Sequence, residues 1–353
     1  MTVDGVQAPA PAASQSWRDH RLLQPWWWTR HQLLRLRFLA RKALYYTPLS
    51  PTCRPTIDVA RDTGLGDVVM CTPALRALKR AHPDSRIRFY TKFPGLVQGL
   101  PYIDEVHPFE ARPASAIFAE YTEIMPWSTH IATIIGDRLG VRVEDTRPDC
   151  VVDERLVARY RDAWRGLPRP WVLVLQRASR FTPNKDWPAA SWRDLVRRLC
   201  RSGTVIEIGN RYDDEGDRPE GSYLDLRDQT SLAELVAAVA AGDIYLGPVS
   251  GPMHIAAAVH TPSVVVIGGY EHPINSRYPG NAEFYTAVPC APCWLRTPCP
   301  FDLKCLRAIA SAQVEQAVGR TWDRLRAEQA NPPGANPPGA NPPGASFSGT
   351  KSA

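Results

Sequence analysis

Thr56-Ile57-Asp58-Val59-Ala60, then Gly64-Leu65-Gly66-Asp67, then the run from Val68 to Arg80: this stretch decides the fold. A short apolar run, a glycine-bearing turn and a segment of helical periodicity predict strand, loop and helix. After Pro83-Asp84, Arg86 to Thr91 is expected to form the next strand. Strand, helix and strand in that order form a βαβ unit, whose strands lie parallel.

The same alternation extends outward from this unit. A helix is expected over His130 to Leu139, and an amphipathic helix within Asp153 to Arg169, which ends in Pro168 and Pro170. Two prolines so close together mark a boundary between domains. Beyond them the pattern restarts with strands at Trp171 to Gln176, Thr204 to Ile208, Ile244 to Leu246 and Ser263 to Ile267. Helices are expected at Ala189 to Arg201, Leu232 to Ala241 and Pro252 to Val259, with a last one at about Leu306 to Glu328. Strands this apolar are buried on both faces, as in a parallel sheet between two layers of helices. The fold class is therefore α/β, with two Rossmann-like parallel-sheet domains at 51–168 and 169–328. Residues 1–50 form an N-terminal extension. The tail at 329–353 repeats Ala-Asn-Pro-Pro-Gly three times between Ala330 and Ala345, a proline density that favours extended, solvated chain.

The 353 residues carry 42 basic and 36 acidic side chains, a net charge of +6. That excess is too mild to point to nucleic acid as a partner and suits an anionic small molecule or membrane surface. No run approaches the roughly 18 to 20 apolar residues that span a bilayer, and the first fifteen residues lack the order of a secretory signal, so a cytoplasmic setting is expected. Cys53, Cys71, Cys150 and Cys200 are scattered, as reduced core residues are. Cys290, Cys293, Cys299 and Cys305 fall in one short segment with the spacing C-x2-C-x5-C-x5-C, which can wrap a tetrahedral ion. A structural ion such as zinc is expected there, against free thiols or disulfides. The cluster follows the last expected strand and adjoins no cleft motif, so its loss should affect stability or acceptor docking before donor binding.

In a parallel sheet, ligands bind beyond the carboxyl ends of the strands. Gly64 and Gly66 lie in such a loop and permit close approach of backbone to a substrate. The dinucleotide fingerprint is excluded, since its third glycine is absent and Asp67 would repel a pyrophosphate. Asp67 reads either as a helix N-cap or as a general base in a cleft, and the two roles are compatible. Pro248-Val249-Ser250-Gly251-Pro252-Met253-His254 follows another strand, with Pro252 suited to the first helical position. Ser250 and Gly251 would present N–H groups to a diphosphate, the alternative being an ordinary serine cap. Lys185, in the loop after Trp171 to Gln176, could neutralise a phosphate in place of a metal ion, though most loop lysines are merely solvated.

Together these segments resemble glycosyltransferase family 9, the ADP-heptose:lipopolysaccharide heptosyltransferases. The matching stretches are Gly66 to Leu78, Lys185-Asp186-Trp187-Pro188 with Trp192, and Ser250 to Ala258 with Thr261-Pro262, in order over roughly residues 56 to 325. The resemblance implies a GT-B fold with a central cleft, inverting transfer from a nucleotide-sugar donor such as ADP-heptose, and no catalytic metal. It puts the base on Asp67, the acceptor beside Gly64 and Gly66, and the donor near Lys185, Ser250, Gly251, Met253 and His254. His254 could instead be a helix residue packed on the sheet. The family has Asp before the Ser250 position, where this chain has Val249. The acid for the donor ribose is unassigned, with Asp213, Asp214 and Glu215 the nearby candidates. The acceptor implied is a glycolipid, the lipopolysaccharide core. The alternative is a protein, because relatives that heptosylate autotransporters are similar in having a four-cysteine iron site. A non-catalytic sugar-nucleotide-binding scaffold is the rival from another class.

Trp26 to Tyr46 contains Arg30, Arg35, Arg37, Arg41 and Lys42 and no acid. Tryptophan-rich, basic and amphipathic, it predicts a helix lying on an anionic membrane surface, at the inner face of the inner membrane, or else one packed on the protein.

Overall fold

The computed structural model describes residues 33, 55–121, 129–178, 182–211 and 219–330. Apart from Leu33, the expected helix at Trp26 to Tyr46 lies outside them, as do the repeat tail beyond Ala330 and the candidates Asp213, Asp214 and Glu215. Two parallel sheets form the frame. The first holds β1 (Thr56–Arg61), β2 (Arg86–Thr91), β3 (Glu105–Pro108) and β4 (Ile117–Phe118) in the order β3-β2-β1-β4. Thr56 faces Arg86 and Arg61 faces Thr91 in the β1–β2 register. Between these strands runs α1 (Leu65–Ala81), and α2 (Ile131–Arg138) packs against it.

Pro73 sits inside α1 and has no N–H to donate to the carbonyl one turn back. The Thr72 hydroxyl takes up that carbonyl, donating to Val69 O at 2.7 Å, so the helix continues. Its inner face buries Val68, Val69, Cys71, Leu75 and Leu78.

The second sheet has the order β10-β9-β8-β5-β6-β7, from β5 (Trp171–Val174), β6 (Thr204–Glu207), β7 (Tyr223–Asp225), β8 (Ile244–Gly247), β9 (Ser263–Gly268) and β10 (Ala282–Tyr285). Side chains alternate across it as period two requires. Leu173, Ile206, Tyr245 and Val265 join the apolar cluster that also contains the first domain. Val172, Val174, Val205, Leu246 and Val264 point the other way. The first face carries α5 (Leu232–Ala241) and α6 (Gly251–Ala258); the second carries α4 (Ala189–Ser202) and α8 (Ser311–Ala330). One continuous apolar cluster therefore joins the two sheets through α1 and α6, which pack together.

Some expectations shift. Helix α3 (Glu154–Trp164) precedes the expected boundary yet packs on α5 of the second sheet, with Arg159 paired to Glu234 at 2.6 Å. The chain thus crosses between sheets along α3. The final expected helix is broken into α7 (Lys304–Arg307) and α8, because the Trp187 indole N–H donates to the carbonyls of Leu306 and Ile309 at the break. Strands β3, β4, β7 and β10 are additions at sheet edges. Among the described residues no helix is long and apolar enough to cross a membrane.

Candidate active site

The amino ends of α1 and α6, one from each domain, meet at two glycines. A Cβ on Gly66 would lie 2.8 Å from His254 Cδ2 and 3.1 Å from Gly251 Cα; one on Gly251 would lie 2.3 Å from the Leu65 side chain. A side chain at Gly66 would press on the buried His254 ring and the facing backbone, so this loop needs glycine for the approach, whereas at Gly251 the end of Leu65 would have to move aside.

Helix α1 begins at Leu65, three residues before the expected start, because Gly64 O accepts the N–H groups of Asp67 at 2.9 Å and Val68 at 3.3 Å. Gly64 is the cap, and the cap reading of Asp67 is not realised. Its carboxylate turns to other partners. Oδ1 accepts the Tyr121 hydroxyl and pairs with Arg61 Nη2 at 3.2 Å. Among the described residues Oδ2 has no protein partner and stands beside Gly64. Arg61 ends β1 at 0% exposure, bonded also to Ala119 O at 2.8 Å and paired with Glu120 at 3.3 Å. Burial, and then the charge of Asp67, pushes the Tyr121 phenol well above its ordinary range, so it remains a donor to the carboxylate. The same phenol also feels Glu271 of the second domain, which brings the two halves of the site within electrostatic reach.

On the second side, Ser250 is the N-cap residue of α6, but its hydroxyl does not cap the helix. It bonds to Tyr245 at 2.9 Å and to Pro248 O at 3.2 Å instead, so no side-chain cap covers the first-turn N–H groups. Lys185 reaches the same turn: its Nζ is 2.5 Å from the buried Glu271 carboxylate, 3.5 Å from Val249 O and 4.9 Å from the Tyr270 ring centre. The ammonium is thus already paired with an acid. His254 is 3% exposed and bonds through Nδ1 to the Tyr278 hydroxyl at 2.7 Å. Burial, with His130 and Lys185 nearby, pushes it down to about 3, so the ring is neutral and any contact with an anion is a hydrogen bond rather than an ion pair. Met253 is buried in the core behind the turn.

Cys290, Cys293, Cys299 and Cys305 are free thiols. Burial pushes Cys293 up to about 11, with smaller contributions from Cys305, Cys290 and Cys299, so the four share one neighbourhood. Four sulfurs suit a thiophilic ion as a donor set. Among the described residues, however, no three His, Cys, Asp or Glu side chains are gathered as a metal site. The segment does not stand apart from the cleft as the sequence suggests: Thr182 and Asn184, beside Lys185, both hydrogen-bond to Leu295 O.

Sequence reasoning missed Arg61, Tyr121 and Glu271. A charged residue at the carboxyl end of β1, directly before the glycine-bearing turn, was a usable signal for Arg61. Tyr121 lies 54 positions from Asp67 and gave none.

The comparisons agree with this geometry. Residues 124–293 match the model of glycosyltransferase family 9 (heptosyltransferase). Lipopolysaccharide heptosyltransferase 1 of Pseudomonas aeruginosa is 26% identical over 193 residues, 52% of this chain and 53% of that protein. The same-named protein of Salmonella typhimurium is 24% identical over 35% of this chain and 39% of its own length. The chain thus spans about half the length of the curated relatives it matches, or less. Among solved structures, a family 9 glycosyltransferase of Veillonella parvula superposes with a TM-score of 0.60 at 18% identity, covering 76% of this chain and 98% of that one. The dodecameric iron-containing heptosyltransferase TibC, with ADP-D-beta-D-heptose, gives 0.60 at 19% over 77% of each chain. The ADP-heptose heptosyltransferase II of E. coli gives 0.59 at 15%, over 77% of this chain and 99% of that one. These likenesses establish the GT-B architecture. With the family model matched over residues 124–293 and the resembling motifs gathered at one interdomain contact, the chain is similar to glycosyltransferase family 9 over just under half of its length.

Proposed function

We propose that the chain is an inverting glycosyltransferase that moves heptose from ADP-heptose, without a catalytic metal, onto a surface-glycan acceptor of the lipopolysaccharide-core type. The observation that carries the reading is the convergence of the Gly64–Asp67 loop and the Ser250–His254 turn at the Gly66–Gly251 contact. It sets a carboxylate with one unengaged oxygen opposite a helix end without a side-chain cap.

In this reading Asp67 Oδ2 accepts the proton of the acceptor hydroxyl as that oxygen attacks the anomeric carbon. The bond to the diphosphate breaks on the opposite face, so the configuration inverts. ADP leaves with its negative charge toward Lys185 and the first-turn N–H groups of α6. Arg61 and Tyr121 hold Oδ1, so the free oxygen keeps its direction. Ser250 and Gly251 line the diphosphate side, and His254, neutral and buried, supports the turn from behind.

A protein acceptor is the second reading, favoured by the four thiols of 290–305. We assign those thiols to a structural iron or zinc, and Trp26 to Tyr46 to docking on the inner face of the inner membrane. The enzyme is cytoplasmic in this account. Incubating full-length protein with labelled ADP-heptose, and with a lipid or an autotransporter acceptor in separate reactions, separates the two readings. Binding of labelled ADP-heptose with no ADP released and neither acceptor consumed would favour a non-catalytic binding role instead.

A further inference from the structure

The loop that presents Lys185 is held less by its own sheet than by the cysteine segment. The Thr182 hydroxyl donates to Leu295 O at 2.8 Å, and the Asn184 amide donates to Leu295 O at 2.7 Å and Thr297 O at 2.8 Å. Leu295 and Thr297 lie between Cys293 and Cys299.

The same segment also grips the counter-ion of Lys185 from the far side. Cys293 N–H donates to Gly269 O at 3.1 Å and Trp294 N–H to Tyr270 O at 3.0 Å, on the strand exit that delivers Glu271. Tyr270 packs on the Trp294 ring at 5.1 Å between centroids. Gly269 leaves no slack, since a Cβ there would come within 3.1 Å of Cys305 Cβ and 3.3 Å of its sulfur.

Asn184 is 3% exposed and makes both side-chain bonds through its NH2 group, while its Oδ1 has no partner among the described residues. A buried amide that leaves its carbonyl unsatisfied is costly, and what it secures here is the attachment of one loop to the other.

We infer that Asn184 is a positioning residue for Lys185, and that the cysteine loop acts through it to set the affinity for the donor diphosphate. This rests on the reading that Lys185 faces that diphosphate. The loop carries both the anchor of the lysine and the backbone of its carboxylate partner, so a shift in it changes the gap between Nζ and the α6 turn. The arrangement also supplies a route by which the state of the four thiols reaches the cleft.

The test is ADP binding to the full-length protein by titration calorimetry, in a double-mutant cycle. Lys185→Ala should weaken ADP by about 10- to 100-fold and Asn184→Ala by about 3- to 30-fold, as expected for loss of a charged and of a neutral contact. The double variant should bind no more weakly than Lys185→Ala alone, because Asn184 acts only through that side chain. Cys293→Ser should behave like Asn184→Ala in both backgrounds; where it does not fold, the Asn184 cycle decides alone. Losses that add, or an Asn184→Ala protein that binds like the wild type, overturn the inference and leave the donor reading standing. A Lys185→Ala protein that binds ADP normally removes the donor reading and this inference with it.

Discussion

Asp67 is legible in the sequence and its phenolic partner, Tyr121, is not. A carboxylate after two glycines at a strand's carboxyl end stands out because strand, turn and helix are all local. Arg61 ends β1 six residues upstream, whereas Tyr121 is brought to it by the folding of the first sheet, through β4 and the chain that follows it. Removing the phenol should leave Asp67 paired with Arg61 but less well aimed. Tyr121→Phe is therefore expected to lower kcat by about 5- to 30-fold, on the order of 1–2 kcal/mol, with ADP affinity unchanged in calorimetry. The buried histidines make a separate prediction. His254 and His130 are pushed from 6.5 down to about 3 and about 4, chiefly by burial. The unfolded chain then binds protons that the native state refuses as pH falls below about 6.5, so native stability is full above that point and declines toward pH 4. Thermal unfolding across this window should show the decline, and His254→Gln, which keeps a hydrogen-bonding side chain toward Tyr278, should flatten it. Equal slopes in the two proteins would mean that other groups govern acid sensitivity.

At the scale of elements, legibility follows burial. Strands β5, β8 and β9 are apolar runs, β1, β2 and β6 place apolar residues between polar ones, and α4, α5 and α6 have clear starts at Pro188, Ser231 and Pro252, so their positions could be read directly. Strands β7 and β10 are short edge segments of three and four residues with one buried residue each, and β3 ends in Pro108; none forms an apolar run. The break between α7 and α8 depends on Trp187, over a hundred residues away. The cysteine loop was legible as a cluster but not as a neighbour of Lys185, since that contact depends on how β5 and β9 lie across the sheet. If the loop binds an ion, protein purified without chelator should carry about one equivalent of iron or zinc by elemental analysis, and Cys293→Ser should lose it. Metal-free wild-type protein would leave four structural thiols.

For the whole molecule, the order of the two sheets follows from the alternation of strand and helix, whereas the contact that makes the cleft does not. That contact depends on Gly66 having no side chain where it faces Gly251 and His254. The extension before the first sheet is proposed to bring this cleft to its lipid-linked acceptor. Each basic side chain from Arg30 to Lys42 can contribute up to about 1 kcal/mol near an anionic leaflet, and the tryptophans add an interfacial anchor. Full-length protein should co-sediment with anionic vesicles, less so at high salt, and a chain starting near Pro51 should not. Vesicle binding that survives this truncation would move the membrane contact elsewhere. The central claim is that an acceptor proton passes to Asp67 while ADP is released without a metal. It is tested most directly by measuring turnover of ADP-heptose and acceptor in EDTA, with wild-type protein and Asp67→Asn side by side. The account predicts full wild-type activity in EDTA and a kcat lower by about 10²- to 10⁴-fold in the variant, with ADP affinity little changed. Near-normal turnover by Asp67→Asn, or wild-type activity that requires added magnesium or manganese, would contradict it.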